Sequence, residues 1–291
     1  MTATILNKDI NKINIEDYST DLIEKDGILF SKIAGKISYP ENGNENCYQI
    51  EENSYWFNHR NNCIAAGVLR YCSDRVFFDV GGGNGFVANG LEKKGISTVM
   101  VEPGLQGCFN AKNRNLKNIV CSTLENAAFR DNTIPAIGLF DVVEHIENDV
   151  EFLTRVHKLV TDNGYVFITV PAYNTLWSNE DIDAGHYRRY TREELEEKLK
   201  AIGFSIVYST YIFSILMVAV FLFRALPYKL GLNNKTNNPE QRKKDHESKK
   251  GIIGYVLNGI WKFEVNKIRK GKMMPFGGSC FLIAKKTVVN L

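Results

Sequence analysis

Val76-Phe77-Phe78-Asp79-Val80-Gly81-Gly82-Gly83-Asn84-Gly85-Phe86 joins an apolar run directly to a cluster of glycines. Apart from Asp79 the run is apolar, which fits a parallel strand buried on both faces. The glycines then permit a tight turn and a close approach of backbone to ligand. Asp79 falls one residue before that turn, at the carboxyl end of the strand, where open α/β sheets hold their ligands.

A dinucleotide-binding turn needs glycines in the pattern G-x-G-x-x-G, and here Phe86 stands where the third is required. A nicotinamide cofactor is therefore disfavoured. Ser97-Thr98-Val99-Met100-Val101-Glu102 reads as a second short apolar strand ending in an acid. It follows the turn by about 20 residues, where a carboxylate can accept both hydroxyls of a ribose. Asp79 and Glu102 together indicate a nucleoside-binding site.

Further strands are read at 119–121, 136–141 and 165–170, the last stopped by Pro171. Between them, Val150, Leu153, Val156 and Val160 mark one face of a helix that Asn163-Gly164 terminates. Thr191-Arg192-Glu193-Glu194 is a capping box opening a helix that ends before Gly203, and a sixth strand runs from Phe204 to about Tyr208. Strands alternating with helices in this rhythm imply a parallel, doubly wound sheet. A helix is expected over 61–73 as the approach to the first strand.

With 291 residues, 44% of them hydrophobic, the chain can build one substantial core with attachments. The net charge of +3 is unevenly spread. Residues 1–60 hold ten acids against six bases, whereas residues 224–291 hold fifteen bases against four acids, so the carboxyl-terminal part suits an anionic partner or surface. Six cysteines are scattered without a C-x-x-C pair or any Cys/His ligand spacing, which suggests neither a metal site nor a disulfide framework. The first residues are polar within a short distance of Met1, with no apolar signal core, so a cytoplasmic location is expected.

Asp79 to Gly85, Glu102 and Phe140-Asp141-Val142-Val143-Glu144-His145 together resemble the class I S-adenosylmethionine-dependent methyltransferases, in particular the small-molecule group that includes the quinone-biosynthesis O-methyltransferases. The resemblance covers roughly residues 60–213 and a final strand. It implies a Rossmann-like sheet of seven strands, the last antiparallel, with S-adenosyl-L-methionine as cofactor. Asp79 and the backbone of Gly81, Gly83 and Gly85 would hold the amino-acid end, and Glu102 the ribose. Thr123 and Leu124 occupy the place where the family commonly has Asp-Ala against the adenine, so Thr123 departs from the pattern. Asp141 should border the transferred methyl group.

Four segments follow: an extension or lid over 1–60, a cofactor-binding core over 61–213, a helical and partly disordered insertion over 214–276, and a final core strand over 277–291. Tyr55, Trp56 and Phe57 read as a lid, with His59 and Arg60 as candidates to face the acceptor. Within the insertion, Tyr211 to Phe223 is apolar on all sides, and Leu232 to Lys250 has the composition of a disordered segment. Gly251 to Lys270 is helix-patterned. The apolar run is too short to span a bilayer, but the lysines and arginines after it suit contact with a membrane surface.

A hydroxyl acceptor needs a base, and His145 and His186 are the candidates. The loop Pro171 to Tyr190 resembles the Gly-His-x-Arg-Arg-Tyr loop of bacterial methyltransferases concerned with cell-surface precursors. It offers Tyr173, Trp177, Arg188, Arg189 and Tyr190 to the acceptor, the arginines suiting a phosphate or carboxylate. The expected reaction is methyl transfer to a hydroxyl, or an amine, of a small or lipid-linked metabolite. An RNA-directed methyltransferase using the basic region, or a non-catalytic cofactor-binding protein, are the alternatives. The run after the fourth strand lacks the polar-Pro-Pro-aromatic pattern of base-amino methyltransferases, which argues against nucleic acid as substrate. The sequence does not specify an oligomeric state.

Overall fold

The computed structural model describes residues 13–33, 43–231 and 251–287. Among the described residues, nine strands form one sheet: β1 (Leu22–Lys25), β2 (Ile28–Ser31), β3 (Phe77–Val80), β4 (Thr98–Val101), β5 (Ile119–Cys121), β6 (Ile134–Phe140), β7 (Val160–Pro171), β8 (Phe204–Ile212) and β9 (Ser279–Lys286). Their order is β1-β2-β5-β4-β3-β6-β7-β9-β8. Strands β5, β4, β3, β6 and β7 run parallel, and β9 lies antiparallel between β7 and β8. The expected doubly wound arrangement and antiparallel last strand are present.

The expected count of seven strands is corrected to nine. The two additional strands come from the polar amino-terminal part, where Asp26 (φ 52°) and Gly27 (φ 71°) make a two-residue hairpin turn with both φ values positive. That turn aligns β1 with β2, and β2 extends the parallel sheet through Leu29 opposite Val120 and Phe30 opposite Cys121. Ile28 is fully buried there, so the hairpin caps what would otherwise be an open sheet edge.

Consecutive residues of a strand face opposite sides, and in β3 both Phe77 and Phe78 are fully buried. Phe78 joins a core layer with Leu153 and Val156 of α5 (Asp149–Leu159) and Leu195 and Leu199 of α7 (Arg192–Ile202). Phe77 joins the opposite layer with Ile64 and Val68 of α2 (Tyr55–Tyr71) and Leu91 of α3 (Phe86–Glu92). The capping box of α7 forms as read: Glu194 N donates to Thr191 Oγ1 at 3.2 Å, and Thr191 N to Glu194 Oε2 at 2.8 Å.

Helix α2 begins at Tyr55 because Ser54 caps it, its Oγ accepting from Phe57 N at 3.3 Å. The aromatic triple is thus the first turn of that helix. Trp56 lies parallel to Phe213 with centroids 5.4 Å apart, and Tyr55 stacks on Trp261 at 6.2 Å. Ahead of it, Gly43–Glu51 form α1.

The insertion between β8 and β9 starts later than its composition suggests. Tyr211 and Ile212 pair with Cys280 and Ser279, so sheet hydrogen bonds claim the first residues of the apolar run. Phe213 (φ 63°) then breaks direction into α8 (Ser214–Val220), a π-helical turn over Phe221–Ala225 and α9 (Leu226–Lys229). The helix read near Gly251 is α10 (Gly251–Arg269), and it packs on α2 through Trp261, Val265 and Ile268. Residues 232–250, expected to be disordered, lie outside the described residues. No described helix is long and apolar enough to cross a membrane.

Candidate functional site

A cavity of about 420 Å³ opens where β3, β4 and β6 end, at the carboxyl edge of the sheet. Asp79, Gly81, Gly83, Glu102, Thr123, Leu124, Asp141, His145 and His186 all line it. Gly81 has φ 70°, and a Cβ there would come within 2.5 Å of Val142 Cγ2. Gly85 is not on the wall. It caps α3 with φ 73°, where a Cβ would meet Leu116 at 2.6 Å, so its glycine serves the turn and its packing.

Asp79 is buried, and its Oδ2 accepts from Ala88 N at 3.1 Å in the first turn of α3. Burial pushes its pKa up to about 7 against the opposing pull of Arg60 and the Ala88 N–H. Such a carboxylate favours a cationic ligand. Glu102 accepts from Gly83 N through Oε2 and from Gly104 N through Oε1, both at 2.8 Å. The second acid therefore also pins the glycine turn, a role the spacing argument had not assigned to it.

The turn is held from its outer side as well. Asn84 donates to Glu51 Oε1 at 3.1 Å and accepts from Asn110 Nδ2 at 2.9 Å. Arg114 donates to Glu51 Oε2 and to Asn84 O, both at 2.7 Å. Helix α1 is thereby tied to the cavity, with Cys47 and Glu51 on its wall. Nothing in the local pattern of residues 43–51 marked them for this place.

At the other end stands Asp141, with φ 58°, in the left-handed region that few non-glycine residues adopt. Its Oδ1 accepts from Thr169 Oγ1 at 3.0 Å, and it is ion-paired with Arg60. The Arg60 guanidinium lies 4.9 Å from the Trp56 ring and 5.4 Å from the Phe57 ring. Of the two candidates on α2, Arg60 therefore lines the cavity, while His59 turns into the core against Glu264 at 2.8 Å.

Beyond Asp141, Glu144 is fully buried, and among the described residues neither carboxylate oxygen has a hydrogen-bond partner. Burial, and then the neighbouring Asp141, push its pKa well above the ordinary carboxylate value. His145 and His186 meet edge to face with centroids 4.7 Å apart. Burial and the neighbouring His186 bring the His145 pKa down to about 4, so that ring is neutral at pH 7. His186 Nδ1 is bonded to Asp181 Oδ1 at 2.9 Å, which leaves its Nε2 for the cavity side.

The rest of this loop, expected to meet the acceptor, lies apart from the cavity wall. Tyr173, Trp177, Arg188, Arg189 and Tyr190 do not line the cavity. Arg189 binds Asp181 with both carboxylate oxygens, at 2.7 and 2.9 Å. Arg188 pairs with Asp149 at 3.0 Å, and Tyr190 donates to the same carboxylate at 2.6 Å. Each arginine is satisfied by a buried aspartate of the fold, Asp181 on α6 (Asn179–Ala184) and Asp149 at the start of α5, not by an acceptor. Tyr173 stacks on Tyr211 at 5.1 Å and lines a second hollow with Leu176, Val218, Phe221 and Leu222.

A family profile described as a methyltransferase domain matches residues 57–209, over half of the chain. No curated protein matches significantly. Among solved structures, the complex of the Haloferax volcanii Trm112 methyltransferase activator with its methyltransferase has a TM-score of 0.54 at 9% identity, over 86% of this chain and 96% of the other. Haemonchus contortus phosphoethanolamine N-methyltransferase 2 with S-adenosyl-L-methionine gives 0.53 at 18% identity, over 87% of this chain and 59% of that one. The plantazolicin methyltransferase BamL gives 0.52 at 14% identity, over 86% and 92%. At these identities the likenesses establish the fold alone. The matched profile spans the glycine turn, both acids and the histidine-bearing end of the cavity, and the chain belongs to the methyltransferase-domain family, as a class I enzyme with S-adenosyl-L-methionine as its cofactor.

Proposed function

We propose that this enzyme methylates a hydroxyl group of a small or lipid-linked metabolite. The residues present fit the cofactor. The glycine backbone forms a cradle, and Asp79 favours a positive charge beside it. Each Glu102 oxygen accepts one backbone N–H and keeps a lone pair for a ribose hydroxyl. Leu124, Val101, Pro103 and Phe152 supply an apolar wall for a flat base. When bound, the cofactor supplies a methyl group on a cationic sulfur.

The protein's contribution to such a transfer is mainly orientation and exclusion of water. The observation that carries the hydroxyl reading is the pair His145 and His186 at the cavity end away from the glycines. An alcohol must lose a proton, and two imidazoles are grouped there, one of them aligned by Asp181. Arg189 acts as a positioning residue through Asp181. The test is transfer of labelled methyl from the cofactor to small-molecule and lipid extracts. His186→Ala should lower kcat by about a hundredfold, with S-adenosylhomocysteine affinity within twofold of the unaltered enzyme. Lost cofactor affinity with normal acceptor kinetics would mean the two ends of the cavity have been exchanged.

A lipid-linked acceptor is favoured by the surface of the insertion. Val218, Phe221, Leu222, Phe223 and Leu230 are exposed, Phe223 by 77%, and Tyr255 of α10 by 83%. Residues 232–250 follow with six bases against three acids. An apolar rim beside cations suits an anionic bilayer, at about 1 kcal/mol per well-placed charge. Vesicles containing anionic lipid should float the protein at low salt and release it at high salt. Substituting Leu222 and Phe223 with serine should abolish flotation. Equal flotation of neutral vesicles, or none at low salt, would remove the membrane from the proposal.

A further inference from the structure

We propose that Glu144, His145 and His186 form a binding site for one divalent cation of the first transition row, at the end of the cavity remote from the glycine turn. The proposal deepens the reading above and rests on it for the acceptor's place. One ligand atom from each of the three residues lies within 4.8 Å of the others. Ligands on one such ion, at about 2.1 Å from it, lie at most about 4.2 Å apart, so the set has to close by roughly half an ångström. Two imidazoles and one carboxylate are a donor set that such ions accept with positions left open.

Glu144 is the independent indication. Its side chain is fully buried, and neither oxygen has a hydrogen-bond partner among the described residues. A buried carboxylate in a folded protein ordinarily has a donor, a cation or a counter-charge. The nearby guanidinium groups are already engaged, Arg60 by Asp141 and Arg189 by Asp181. A bound cation would supply what the surrounding side chains do not.

The outer contacts have the form that metal sites use. A ligating histidine commonly donates its other ring N–H to a carboxylate, which fixes the tautomer and the ring plane. His186 Nδ1 has that contact with Asp181 Oδ1 at 2.9 Å, and Arg189 holds Asp181 in place. Tyr187 N donates to Glu144 O at 2.9 Å, keeping the His186 loop against the Glu144 segment. The two segments are about forty residues apart in the chain, so no local ligand spacing could announce the site. His145 and His186 also line the cavity, so the open positions of the ion face the acceptor. There a cation would polarise a bound hydroxyl and lower its pKa; with both imidazoles held as ligands the proton would pass to water, so the histidines would promote its loss through the ion and not as free bases.

The experiment is a titration of metal-stripped full-length protein with Mn²⁺, followed by electron paramagnetic resonance of the free ion, with S-adenosylhomocysteine affinity measured on the same samples. One Mn²⁺ should bind per chain, and Zn²⁺ should displace it. Glu144→Gln and His186→Gln should each weaken Mn²⁺ binding by more than about tenfold, and Asp181→Asn by a smaller factor. Because the Glu144 carboxylate has no hydrogen-bond partner among the described residues, Glu144→Gln should melt no lower than the unaltered protein, and Mn²⁺ should raise the melting temperature of the unaltered protein only. Absence of saturable binding at millimolar Mn²⁺, or equal binding by Glu144→Gln, overturns the proposal. Failure of S-adenosylhomocysteine to bind while Mn²⁺ binds would instead count against the cofactor end.

Discussion

Asp79→Ala should weaken binding of S-adenosyl-L-methionine by more than tenfold. The substitution removes a charged acceptor from a buried wall, and charge-assisted hydrogen bonds of this kind contribute about 1.5–3 kcal/mol. Glu102→Ala should do the same for a double reason, since it also releases the N–H groups of Gly83 and Gly104. Glu102→Gln keeps one carbonyl acceptor and should lose less. The binding should depend on pH through Asp79. Burial first, moderated by Arg60 and the Ala88 N–H, raises its pKa to about 7 in the ligand-free fold. A cationic ligand favours the ionised form, so binding expels a proton and affinity should rise as pH climbs from 6 to 8. The sign for the free protein is opposite: a raised carboxyl pKa gives stability that is present below about 4 and is lost by about pH 7. Calorimetry in buffers of different ionisation enthalpy measures the proton directly, and Asp79→Asn should abolish its release. Unchanged affinity in both alanine variants would remove Asp79 and Glu102 from the cofactor site.

These two acids were readable because each sits at the end of a strand with a local signature, and strand ends fix position in a parallel sheet. The hairpin β1–β2 had a signal of its own in Asp26-Gly27, flanked by Ile23 on one side and Ile28 on the other. It is faint because both strands are four residues long and β1 is mostly exposed, so alternation scarcely registers. Arg188 and Arg189 show the opposite failure. Two adjacent cations suggest an anion site, yet their partners are set by where Asp149 and Asp181 arrive in space. Glu144 was visible only as part of a resemblance. That it lacks a donor among the described residues, and that His186 comes beside it, are facts of tertiary packing and leave no mark on the spacing.

The largest effect on folding should come from Glu264→Ala, far from any signature motif. Glu264 is fully buried in α10 and accepts from His59 at 2.8 Å, Phe213 N at 3.0 Å, Ser214 N at 2.8 Å and the Ser214 hydroxyl. Burial alone would raise its pKa, but the hydrogen bonds from His59 and Ser214 carry it below the ordinary value. Its stabilisation is therefore present at neutral pH and fades on acidification below about 4.5. Alanine would strand four buried donors at once, and removing the acceptor from a buried, fully bonded site of this kind costs about 3–5 kcal/mol. For a chain of this size that corresponds to a fall of roughly 10 °C in melting temperature. Glu264→Gln retains one acceptor oxygen and should fall by less than half as much. The consequence reaches the cavity through α2: His59 is anchored by Glu264, and the next residue, Arg60, holds Asp141 on the cavity wall. Glu264→Ala should therefore also loosen Arg60 and lower turnover at temperatures where the variant is still folded. Scanning calorimetry with denaturant titration checks the first expectation, and a melting temperature within 2 °C of the unaltered protein would show that the four donors find other acceptors.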